Sequence, residues 1–96
     1  MLGIFLLACN AAHCAAVEDE NPITRAQTLV DAGKAGEALT LLRPFQPQLE
    51  GEPAFDYVFG LAALDSGQTV EAIFALERVV DTVPNHGPAR AELARA

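Results

Sequence analysis

Residues 53–84 read PAFDYVFGLAALDSGQTVEAIFALERVVDTVP, and this sequence predicts two antiparallel helices joined by a short turn. The first helix is predicted over Pro53–Asp65 and the second over 70–83, with Ser66-Gly67 between them. Pro84 ends the second helix, because it has no N–H group to donate and its ring clashes with the preceding turn. Small residues lie where the two helix axes would approach most closely, and large apolar residues flank them. The small residues are Gly60, Ala63 and Ala72, and the large ones are Phe59, Leu76, Val79 and Val80.

The same pattern recurs 34 residues earlier, where Gly33 matches Gly67 and Ala38 matches Ala72, and it begins again at Gly87. A 34-residue period of helix–turn–helix units resembles the tetratricopeptide repeat. The resemblance covers the units 22–52, 53–86 and an incomplete unit 87–96. It implies an all-α fold in which antiparallel helix hairpins stack as a short right-handed superhelix of about two and a half repeats. The sequence departs from the family where Asp56 replaces the usual large aromatic residue, and where Pro44 and Pro47 fall inside an expected helix.

The ends of the other helices can also be predicted. Asn21 is suited to cap a first helix that has Pro22 at its first position, and Gly33 supplies the left-handed residue that stops this helix. Pro44 is expected to end the next helix and to leave an irregular arm as far as Glu52. Two further expectations concern the later units: Thr69 caps a helix, and Ala89, Leu93 and Ala94 of the last helix face the central hairpin.

Length and composition limit the class of protein. Ninety-six residues permit one domain, and 51% hydrophobic with 20% charged residues is a composition that folds. The net charge of −7 argues against nucleic acid and, more weakly, against anionic lipid surfaces. The carboxylates are spread along the predicted helices and are expected mostly on solvated faces.

The first residues have a different composition. No charged side chain occurs in residues 1–17, which hold a short apolar core at 2–8. This order resembles a secretory signal peptide over residues 1–16, followed by a polar linker at 17–21. The tetrapeptide that ends at Cys9 also resembles the lipobox of bacterial lipoproteins, so two alternatives stay open: cleavage near Ala16, which is favoured, or lipidation of Cys9. Both place the mature protein outside the bacterial cytoplasm, in the periplasm or at the outer membrane of a Gram-negative bacterium.

No catalytic or cofactor-binding constellation is predicted. After the leader the chain has a single histidine, His86, a single serine, Ser66, and no cysteine, so neither a hydrolytic triad nor a redox pair can be assembled. The spacing of Cys9, His13 and Cys14 fits no zinc motif. We therefore expect neither an enzyme nor a metal or cofactor site.

The resemblance implies a binding surface instead. In the tetratricopeptide family the first helix of each hairpin lines a concave groove that holds a peptide or a helix. Transferred residue by residue, this groove is mainly apolar, carries one tyrosine hydroxyl and lacks the Lys and Asn pattern by which some relatives hold a carboxylate. The predicted groove consists of Ile23, Gln27, Val30, Tyr57, Leu61, Leu64, Ala91 and Arg95.

Two functions are consistent with this groove. The first is a non-catalytic scaffold for protein–protein interaction in the cell envelope. The second is a structural periplasmic N-terminal part of a larger outer-membrane or secretion-system protein. Because about three repeats are the usual minimum for stability, a capping helix, further repeats or a partner surface must complete the array, and a homodimer is one form of the last. The sequence favours further repeats.

Overall fold

A computed structural model describes residues 21–96 of this protein. The helices in this range are α1 (Pro22–Asp31), α2 (Ala35–Leu42), α3 (Gln46–Leu49), α4 (Pro53–Asp65), α5 (Thr69–Thr82) and α6 (Gly87–Arg95), with a 3-10 turn at Arg43–Phe45. No strand occurs between residues 21 and 96, so the all-α class is confirmed for this part. The predicted leader with its lipobox at Cys9, and linker residues 17–20, lie outside the described residues.

The two hairpin turns repeat each other at the predicted spacing. Gly33 has a φ of 79° and Gly67 a φ of 88°, a left-handed conformation that glycine adopts at little cost. Lys34 N donates to Leu29 O at 2.8 Å, and its counterpart 34 residues later, Gln68 N, donates to Ala63 O at 2.7 Å. These bonds satisfy carbonyl groups at the helix ends and belong to the Schellman motif. The 34-residue period of the sequence is thus also a period of the backbone.

The hairpins stack side by side into an elongated body of 58 × 23 × 23 Å. Helix α1 packs on α2 and α4 on α5, while α4 also contacts α1 and α2, and α6 packs on α5. The apolar side chains form two clusters. The larger one spans α1 to α5 and contains the fully buried Leu42 and Phe55 together with the nearly buried Phe59, and the smaller one joins Leu76, Val79 and Ala89.

Gly60 marks the closest approach of α4 and α5. A Cβ atom placed on Gly60 would lie 2.8 Å from both Cγ and Cδ2 of Leu76, which is closer than such atoms pack. Leu76 is completely buried at this point. The small residue predicted at this position is therefore required by the packing of the hairpin.

Several local predictions are confirmed. The Asn21 side chain accepts a hydrogen bond from Ile23 N at 2.8 Å, with Pro22 at the first helical position, so the predicted cap of α1 is correct. The bounds of α4 are also those predicted. The predicted first helix is one residue too long, since α1 ends at Asp31 rather than Ala32.

Three local predictions are wrong. The segment after α2 is not an irregular arm, because Pro44 and Pro47 each stand in the first turn of a new short helical segment, where a proline costs little. Thr69 is not a cap: it is the first residue of α5, and the capping residue Gln68 makes no side-chain cap bond. Ala94 does not face the central hairpin but is exposed, while Ala89 is buried and Leu93 half-buried as predicted.

None of the helices in residues 21–96 is both long enough and apolar enough to cross a membrane.

Candidate binding surface

The residues of the predicted groove fall at equivalent positions on α1, α4 and α6. Ile23 corresponds to Tyr57 and Ala91, because each follows the other by 34 residues. Helix α1 contacts α4, and residues of α6 reach α4 directly, so the three first helices of the units lie side by side. The structure therefore places the predicted groove on successive neighbouring helices.

The exposure of these residues differs from one helix to the next. Ile23, Val30, Tyr57 and Leu64 are half-buried and pack against the larger apolar cluster. Leu61 is buried, with 9% of its surface exposed, and its side chain offers little area to a ligand. The remaining members, Gln27, Ala91 and Arg95, are half-buried, exposed and exposed in that order.

Tyr57 is the aromatic residue of this surface. Its ring lies 5.0 Å from the imidazole of His86, measured between ring centroids, with the planes inclined by 48°. Burial raises the pKa of the Tyr57 hydroxyl, and the negative charge of Glu92 raises it further. The hydroxyl is therefore a neutral hydrogen-bonding group at any physiological pH.

His86 has a structural role in this arrangement. Its Nδ1 atom accepts a hydrogen bond from Ala89 N at 3.1 Å and so caps the N-terminus of α6. The bond requires a neutral ring with the proton on Nε2, because a protonated Nδ1 cannot accept. The histidine that the sequence left without chemistry thus fixes the start of the helix that follows it.

Arg95 is already engaged in ion pairs. Its Nη2 atom lies 2.8 Å from Asp65 Oδ1 on α4 and 2.7 Å from Glu92 Oε2 on its own helix. The hydrogen bond from Asp65, followed by that from Glu92, raises the pKa of Arg95. This end of the surface carries two carboxylates and one guanidinium, so its charge is negative overall. Gln27 is similarly engaged, because its Nε2 atom donates to Asp31 Oδ1 at 2.9 Å.

A separate open depression of about 550 Å³ lies on the outer side of the first hairpin. None of the predicted groove residues contributes to it. It is lined by Arg25, Leu29, Gly36, Glu37, Thr40 and Leu41.

Asp56 is the residue whose role the sequence did not reveal. Its carboxylate is buried, accepts a hydrogen bond from Gly51 N at 3.0 Å and lies 3.3 Å from Arg78 Nη2 on α5. The side chain therefore ties the turn before α4 to the next helix. The partners are 5 and 22 residues away in the sequence, so no local pattern links them. The signal available was a charged residue at a position where the repeat has a large aromatic one.

No group of three or more His, Cys, Asp or Glu side chains in the described range is placed to hold a metal ion. Comparison with known proteins finds no matching family model, no matching curated protein and no matching solved structure. The argument for function consequently depends on the repeated hairpins and on the surface they form.

Proposed function

We propose that this chain is a non-catalytic scaffold of the tetratricopeptide type, which binds a peptide or a helix of another protein along α1, α4 and α6. The observation that supports this most is the 34-residue period, which occurs in both the sequence and the hairpin turns. Repeated hairpins place equivalent residues on one side of the stack, and such extended surfaces commonly bind other polypeptides.

The composition of the surface supports a segment with apolar side chains as the ligand. Tyr57 supplies a half-buried aromatic ring and a neutral hydroxyl, and aromatic residues contribute strongly to binding energy. Ile23, Val30 and Leu64 extend the apolar area on either side of it. Because Leu61 is buried, we expect it to support Tyr57 and not to contact the ligand.

The proposed location is the cell envelope of a Gram-negative bacterium. It is supported by the uncharged residues 1–17 and by their resemblance to a signal peptide. Expression of the full chain in such a bacterium, followed by fractionation, tests this location separately from the binding function. Recovery of the uncleaved chain in the cytoplasm would contradict it.

Site-specific photo-cross-linking tests the binding surface. A benzophenone amino acid at Ala91, which is exposed on the proposed binding side, should capture the ligand protein in living cells. The same group at Thr40, exposed on the outer side of α2, is the matched control. Once the ligand is known, Ala91→Arg should weaken binding by about tenfold or more and Thr40→Arg should leave it unchanged. Equal capture from both positions, or none from Ala91, would refute the proposal.

A further inference from the structure

Helix α5 carries two large apolar side chains that are mostly exposed. Val70 is 66% and Phe74 57% exposed, and they stand one helical turn apart on the same face. The opposite face of α5 is buried against α4 and contains Ala72, Ala75 and Val79. Exposed apolar side chains that lie together are a feature of interaction surfaces, whereas isolated ones are common everywhere.

The contacts of α5 within the chain do not cover this face. One flank of the helix is occupied by Glu71, which forms two hydrogen bonds of 2.9 Å with the guanidinium of Arg43. The other flank carries Val80, which packs on the smaller apolar cluster. Neither Val70 nor Phe74 belongs to either cluster in the described part of the chain. The face also lies on a second helix of a hairpin, away from the proposed groove on α1, α4 and α6.

Two carboxylates continue the same row toward the end of α5. Glu77 and Asp81 follow Phe74 by three and seven residues, which places them on one side of the helix. Both are exposed, and neither forms an ion pair within residues 21–96. Val70, Phe74, Glu77 and Asp81 are named the outer row from here on.

The charge of the outer row selects among the molecules that could cover it. A second copy of this chain would bring the same two carboxylates and a net charge of −7, and an anionic membrane would likewise be repelled. An apolar segment that also carries lysine or arginine would gain from both halves of the row.

We propose that the outer row is a docking surface for an amphipathic, basic helix of another protein. Apolar side chains of that helix pack on Val70 and Phe74, and its basic side chains lie beside Glu77 and Asp81. Residues four apart form the ridges through which two helices pack, and the apolar pair provides one such ridge. This surface is distinct from the groove, so the chain would bind two partners on opposite sides.

A titration of the 15N-labelled full chain with a synthetic amphipathic helix made of leucine and lysine tests this proposal. The amide signals of Val70, Phe74, Glu77 and Asp81 should shift, while those of Ile23 and Tyr57 should not. The same peptide with glutamate in place of lysine should bind much more weakly. Binding should also weaken as salt is added, because exposed charges are screened.

Matched variants separate the outer row from the acidity of the whole protein. Val70→Ser/Phe74→Ser should weaken binding about tenfold or more, and Glu77→Gln/Asp81→Asn about fivefold at low salt. Glu37→Gln/Glu52→Gln removes the same charge from other exposed positions and should change binding less than twofold.

Several outcomes would overturn the proposal. One is equal loss of binding in the two charge variants, and another is shifts confined to the groove, which would favour the proposed function alone. Concentration-dependent shifts of the outer row without peptide would assign it to self-association. Shifts of the row on addition of phosphatidylcholine vesicles, with none from the peptide, would assign it to a membrane.

Discussion

Arg78 on α5 holds the buried carboxylate of Asp56 on α4, with 3.3 Å between Nη2 and Oδ1. The guanidinium is about one-third exposed and also approaches Glu50 at 3.9 Å, while its Nε atom is buried without a hydrogen-bond partner among the described residues. The carboxylate also receives the N–H of Gly51. Asp56 therefore organises the segment that joins the first unit to the second.

Removal of the Asp56 carboxylate should destabilise the fold. We expect Asp56→Ala to lower the free energy of unfolding by about 2–4 kcal/mol, because Gly51 N and Arg78 would lose their acceptor. Asp56→Asn should cost less, about 1 kcal/mol, since its amide oxygen can still accept from Gly51 N. Urea denaturation followed by circular dichroism measures both. Asp81→Ala, at an exposed position on α5, is the control and should change the value by no more than about 0.5 kcal/mol.

The pH dependence of the Asp56 contribution follows from its burial. Burial raises the pKa of the Asp56 carboxyl, although Arg78 and Gly51 N oppose the change. The folded protein then keeps this proton to a higher pH than the unfolded chain does. The contribution of Asp56 to stability is therefore greatest below its unfolded pKa and is lost as the pH rises through the folded pKa. On acidification, wild type should gain stability relative to Asp56→Asn. A difference that is constant with pH would contradict the shift.

Glu71 should show the opposite dependence. Its hydrogen bond with Arg43 lowers the pKa of the Glu71 carboxyl. This group contributes stability above its unfolded pKa, and the contribution disappears as the pH falls through the folded pKa. Wild type should exceed Glu71→Gln by no more than about 1 kcal/mol at neutral pH, because both side chains are more than one-third exposed, and the two should converge in acid. The same urea titrations at a series of pH values test this, and a gap that widens in acid would refute it.

Two glycine-to-alanine changes should have effects of opposite sign. Gly60→Ala places a methyl group 2.8 Å from the side chain of Leu76 and should cost about 1–3 kcal/mol, since the buried leucine has little room to move. Gly36→Ala lies within α2 with no atom within 4 Å of the added methyl, and should stabilise the protein by about 0.4–1 kcal/mol. Thermal and urea unfolding of the two variants provide the comparison. Equal effects at both positions would show that helix propensity, and not the contact with Leu76, decides.

The cap of α6 can be tested at His86. His86→Ala removes the acceptor of the Ala89 N–H group and should cost about 0.5–2 kcal/mol, with faster amide exchange along α6. His86→Asn should restore the cap, because asparagine is a favoured capping residue, although it loses the contact with the Tyr57 ring. If the alanine and asparagine variants exchange at the same rate, the ring contact matters more than the cap.

The sequence was sufficient for features that depend on neighbouring residues. The left-handed turns at Gly33 and Gly67, the cap at Asn21 and the bounds of α4 follow from local chemistry and from the 34-residue period. It was insufficient where a contact between distant residues decides. The ion pair of Asp56 joins two helices, and the burial of Leu61 results from packing that only the assembled stack provides. Thr69 shows a third limit, since a suitable capping residue one position too late simply becomes part of the helix.

The elongated stacking of the helices has a consequence for cooperativity. Helix α6 is attached through Ala89, Leu93 and the ion pair of Arg95, and none of these contacts reaches α1 or α2. Its detachment would uncover Leu76 and Val79 and leave the first hairpin intact. Unfolding can therefore proceed from that end in a separate step, and a ligand that bridges α6 and α1 would join the two halves into one folding unit.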